Sequence, residues 1–152
     1  MARRIYTEPE LNELCQRYQE LLRIRDWDIT VKLMPQEEIG NAQAKVRIIS
    51  WCKTAIVKIP TPETWSRGAI ELEQDMRTSL VHELIHVVFA YNDPKYKEDD
   101  VLDDLYESAI ESIAKAICEL EDKTEALLPH AAAPKNLVNK EDVAKSGEGR
   151  LA

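Results

Sequence analysis

Two histidines four residues apart, with a glutamate directly after the first, stand in the middle of the 152-residue chain as His82-Glu83-Leu84-Ile85-His86. In a helix, positions i and i+4 project from one face a turn apart, so both imidazoles can reach one divalent cation. Glu83 then projects beside that cation and can accept a proton from water. Leu80, Val81, Leu84, Ile85, Val87, Val88 and Phe89 cover nearly the whole circumference of the same segment, which predicts a buried helix. Buried polar groups need partners. A shared metal serves all three side chains at once, whereas two unrelated core histidines would each need a separate hydrogen-bonding arrangement.

A catalytic site of this kind usually takes three protein ligands and leaves the fourth position to water. The continuation Val87-Val88-Phe89-Ala90-Tyr91-Asn92 has neither the glycine nor the third histidine of the metzincin pattern. His130, the remaining histidine, sits between Pro129 and three alanines in a segment read as tail. Tyr106-Glu107-Ser108-Ala109-Ile110-Glu111 offers carboxylates instead. At about 100° per residue, Glu107 falls at the edge of the apolar arc beside Ile110 and Ala114, and Glu111 turns further toward water. Glu107 is the predicted third ligand and Glu111 its rival. The acidic run Glu98, Asp99, Asp100, Asp103 and Asp104 complements the amino end of that helix, and its field favours a cation nearby.

With these residues in place, the chain resembles the gluzincin group of zinc metallopeptidases over roughly Trp27 to Leu120, and in size and order of elements it looks like the minigluzincins and the phage-encoded or repressor-cleaving zincins. The resemblance implies a Zn2+ ion held by His82, His86 and Glu107, with Glu111 holding a metal-bound histidine from behind. Glu111 stands where thermolysin-like enzymes usually have aspartate. It also implies hydrolysis of a protein or peptide substrate, with Glu83 as general base and a phenol, Tyr91, Tyr96 or Tyr106, as an available oxyanion donor. A sheet edge beside the active-site helix would pair with extended substrate, and Thr54 to Ile59 is the strand expected to do so. Two alternatives belong to other classes: a SprT-like DNA-associated protease, which needs a third histidine, and a non-catalytic zincin-fold binding or regulatory module, for which an intact Glu83 has no use.

The elements that must position this site follow from periodicity. Thr7-Glu8-Pro9-Glu10 has the form of a capping box, and Leu11, Leu14, Cys15, Tyr18, Leu21 and Leu22 form one stripe of a helix over about 8–24. Ile29, Val31 and Leu33 alternate with polar residues as a strand ending at Pro35, and the Val- and Ile-rich runs 44–51 and 54–59 read as a hairpin joined at Cys52-Lys53. Thr61-Pro62-Glu63-Thr64 signals a helix start, the helical period runs from Gly68 to Tyr91, and a further helix spans 101–119 with Leu102, Leu105, Ala109, Ile113, Ala116 and Leu120 on one side. The expected fold is α+β: a small, mostly antiparallel three-stranded sheet packed on the active-site helix. Residues 1–122 form one domain and 123–152 a mobile tail.

Composition narrows the partners. With 28 acidic against 20 basic residues, the net charge is −8, the wrong sign for phosphate backbones or anionic lipid, so nucleic acid and membrane are not expected. No apolar run approaches a membrane span and the first residues are polar, so the protein is expected to be cytoplasmic. Cys15, Cys52 and Cys118 form no CxxC pair and are expected to be buried reduced thiols.

Overall fold

A computed structural model describes residues 3–65, 72–90 and 100–128. In chain order it contains α1 (Glu8–Leu21), β1 (Asp28–Met34), a short α2 (Gln36–Ile39), β2 (Lys45–Ile49), β3 (Thr54–Pro60), α3 (Met76–Val88) and α4 (Asp100–Leu127). The architecture is α+β, as the sequence predicts. The predicted capping box forms in full: Thr7 accepts from the Glu10 N–H while the Glu10 side chain accepts from the Thr7 N–H, and Arg3 adds two bonds to the Glu10 carboxylate. Where Thr61-Pro62-Glu63-Thr64 predicts a helix start, the chain makes only a turn, and α3 begins later behind Asp75, whose side chain accepts from the Thr78 N–H. Residues 68–71 and Tyr91 lie outside the described residues.

The sheet is mixed rather than mostly antiparallel. Its order is β1-β3-β2, with β1 parallel and β2 antiparallel to β3. The β2–β3 hairpin closes through a 3₁₀ turn at Ser50–Cys52 and Lys53 in the left-handed region. The parallel pairing arises because residues 35–44, with α2 and a positive-φ turn at Gly40, carry the chain past the end of β3, leaving a central slot that β3 then fills. Thr54 to Ile59 is therefore a central strand, with hydrogen-bonded neighbours on both sides, and cannot be the edge that pairs with substrate. The two edges differ. Along β1, the Asn12 amide of α1 both accepts from the Val31 N–H and donates to the Val31 carbonyl, at 2.9 Å each, while the Leu33 N–H donates to Glu8. These side chains stand in for a neighbouring strand and close that edge. Along β2 the Glu83 side chain of α3 accepts from the Val46 N–H, and among the described residues the rest of that edge has no such pair of side chains along it.

One sheet face, carrying Val31, Val57, Ala55 and Ile59, packs with Leu11, Cys15 and Tyr18 of α1 and Leu80, Leu84 and Val87 of α3 into a single buried cluster, which Ile110, Ala114 and Cys118 of α4 complete. The apolar side read from the α4 sequence is not the one that packs: Leu105 and Leu120 are 62% and 64% exposed. This helix has apolar residues over much of its girth, so periodicity alone does not select its buried side. It also continues to Leu127, so the first residues assigned to a tail are helical, and residues 129–152 lie outside the description. Cys15 and Cys118 are buried as expected, but Cys52 is exposed on the hairpin turn. No helix among the described residues is long and apolar enough to cross a membrane.

Candidate metal centre

α3 and α4 pack against each other and bring the two halves of the predicted site together. The Nε2 atoms of His82 and His86 lie 3.2 Å apart, and the Glu107 carboxylate reaches both, at 3.1 Å from His82 Nε2 and 3.3 Å from His86 Nε2. Donor atoms held at ~2.0–2.2 Å around a tetrahedral ion stand about 3.3–3.6 Å from one another. The observed spacings fall within a few tenths of an ångström of that, so His82, His86 and Glu107 form a group that could hold one metal ion. The donor set, two imidazoles and one carboxylate, suits a divalent transition metal.

Behind this group, His82 Nδ1 lies 2.9 Å from Glu111, and Glu111 is also paired with Lys115 at 3.0 Å. A carboxylate is an acceptor only, so the Glu111 contact is met by a proton on His82 Nδ1, and Nε2 is the ring atom that faces His86 and Glu107. Burial acts to raise the Glu111 pKa, but hydrogen bonds from Lys115 and His82 outweigh it and hold the carboxyl below its ordinary range. The structure thus joins Glu107 to both histidines and Glu111 to one. The burial argument for Glu107 does not hold: the Glu107 side chain is 46% exposed and that of Glu111 36%. Position along α4 relative to the two histidines separates their roles.

Glu83 is buried under the edge of the sheet. Desolvation, reinforced by Glu107, pushes its carboxyl up to about 7 against the opposing effects of His82 and a hydrogen bond from the Val46 backbone N–H. A carboxylate in this state exchanges a proton near neutral pH, and a cation bound beside it would draw the value down. The Val46 contact also places the outer edge of β2 directly over Glu83, a relationship that sequence spacing does not disclose. The cleft, about 570 Å³, is lined on one side by Ala44, Lys45, Val46 and Ile48 and on the other by His82, Glu83, His86 and Glu107. Of the three phenols named from sequence, Tyr91 and Tyr96 lie outside the described residues. The Tyr106 ring meets His86 edge-on at 5.9 Å, but its hydroxyl is buried and the residue does not line the cleft. His130 also lies outside the described residues.

No family model, curated protein or solved structure matches the chain.

Proposed function

We propose that the protein is a zinc-dependent metallopeptidase, with His82, His86 and Glu107 holding the metal and Glu83 acting as general base. The observation that carries this reading is the convergence of three donor atoms, a desolvated carboxylate next to them and the outer edge of β2 on one cleft. A purely structural metal site has no need of the last two. When bound there, zinc supplies Lewis acidity, polarising a peptide carbonyl and bringing the ionisation of water near neutral pH.

The chain's own residues do the rest. Glu83 takes the proton of the attacking water as the new C–O bond forms, then delivers it to the amine leaving from the broken C–N bond. Glu111 holds the Nδ1–H of His82 so that Nε2 stays turned to the ligand group. Substrate main chain adds to the outer edge of β2, not to β3, and so passes over Glu83. The deciding experiment is metal analysis and peptide hydrolysis on purified wild type beside Glu83→Gln. Zinc in both with turnover only in the wild type supports the reading; turnover that survives the substitution removes it.

A further inference from the structure

The sheet face turned away from the helices carries a row of like charge. Register sets Lys32 opposite Lys58 and Lys58 opposite Lys45, so three ammonium-bearing side chains stand abreast on β1, β3 and β2. Arg47 follows on the same face, two residues along β2. Like charges directly opposite one another in a sheet are destabilising, and this chain carries a surplus of carboxylates that could have neutralised them. Among the described residues only Lys32 has an acidic partner, Glu8 at 3.9 Å; Lys45, Lys58 and Arg47 form no ion pair there. Lys45 and Arg47 are exposed, and Lys45 lines the cleft itself.

We propose that the substrate is an extended acidic segment, read along β2 by alternate Asp or Glu side chains set against Lys45 and Arg47. This rests on the metallopeptidase reading for cleavage, though not for binding. A strand laid on the outer β2 edge has each residue's side chain on the same face as the residue directly opposite, with Cβ atoms about 4.5–5.5 Å apart. Residues opposite Lys45 and Arg47 therefore turn to the cationic face, where Lys58 one strand further in adds to the field. Residues between them turn to Val46 and Ile48, the apolar wall of the cleft. The pattern selected is acidic, apolar, acidic. Glu83, Glu107 and Glu111 stand on the helix side, whereas Lys45 and Arg47 turn to the opposite face with Lys58. Elsewhere the net charge of −8 repels such a segment, which makes the preference local to these positions. A nucleic-acid backbone could satisfy the same cations but would leave the strand's main-chain donors and acceptors unused.

The test uses the full chain carrying Glu83→Gln, so that bound peptide is not cut, and fluorescence anisotropy at low salt with labelled Glu-Val-Glu-Val-Glu and Lys-Val-Lys-Val-Lys. The acidic peptide is expected to bind about tenfold more tightly, each exposed charge contact contributing modestly, and added salt should shrink the difference. Lys45→Glu with Arg47→Glu should reverse the order, and Lys45→Met with Arg47→Met should abolish it. Equal affinities, a preference for the lysine peptide, no binding of either at millimolar concentration, or displacement by a single-stranded oligonucleotide that binds more tightly would overturn the inference. If the acidic preference holds but the zinc-loaded wild type cuts neither peptide, this inference stands and the metallopeptidase reading falls. Cleavage of both with equal kcat/KM does the reverse.

Discussion

The Nδ1 atom of His82 and a carboxylate oxygen of Glu111 lie 2.9 Å apart, a hydrogen bond between α3 and α4 that spans 29 residues of sequence. A proton on Nδ1 meets that carboxylate, while Nε2 faces Glu107 at 3.1 Å and His86 at 3.2 Å, so the ring has its two nitrogens on different partners. Lys115 closes the chain of contacts from the solvent side, so one α3–α4 contact orients the His82 ring and ties it to the surface of α4.

His82→Ala and His86→Ala should each lose nearly all bound metal, because two remaining donors make too poor a site for tight binding. Purified wild type is expected to carry about one zinc per chain by elemental analysis. Unchanged metal content in both variants would remove the site.

Glu83→Gln should retain zinc and abolish peptide hydrolysis, since the amide keeps the shape and cannot accept the proton. The metal-free variant should also melt above metal-free wild type at pH 8, where the wild type must keep a desolvated carboxylate ionised. Thermal denaturation in chelator reads this directly; a lower melting temperature for the variant would contradict the stated cost of burying Glu83.

Glu107→Ala should weaken zinc binding much more than Glu111→Ala. Glu107 meets both histidines, whereas loss of a partner that only orients one of them typically costs ~10–100-fold. Competition titrations of the two apo variants against a chromophoric chelator measure the order, and the opposite order would exchange their roles.

Arg77 is buried on α3, donates to Asp122 at 2.7 Å and also bonds the Cys118 carbonyl, tying the start of α3 to the far part of α4. Arg77→Met should destabilise the fold by about 2–3 kcal/mol, at the low end for a broken buried pair because Asp122 is 39% exposed. Urea denaturation of metal-free protein checks this, and a loss below half a kcal/mol would show the pair to be dispensable.

Glu10 is held down to about 2 by Arg3 and by the Thr7 hydrogen bonds of the capping box, from an ordinary value of 4.5. A depressed folded-state value means that this contribution is fully present above pH ~4.5 and is lost as pH falls toward 2. The stability advantage of wild type over Glu10→Gln in urea should therefore be constant from pH 7 to 5 and shrink on further acidification. A difference that is flat throughout would mean that the amide caps the helix as well as the carboxylate.

By itself the sequence determined the local features whose cause lies within a few residues. The capping box at Thr7 and Glu10, the three strands and the helix bearing His82, Glu83 and His86 are matters of spacing along one element, whereas Glu107 and Glu111 face roughly the same side of α4 and only the packing of α3 against it told them apart. What it left open was set between elements. Thr54–Pro60 has the composition of any half-buried strand, and only the crossing of residues 35–44 past its end made it central and left Lys45–Ile49 at the edge. Asn12 closed the other edge through a contact 19 residues away, which no local pattern encodes. The buried side of α4 was decided by packing: Ile110, Ala114 and Cys118 meet α3, while the larger Leu105 and Leu120 stay exposed. Tertiary structure decided these points because hydrogen bonding across a sheet and helix packing depend on which surfaces meet, and periodicity describes each surface without naming its neighbour.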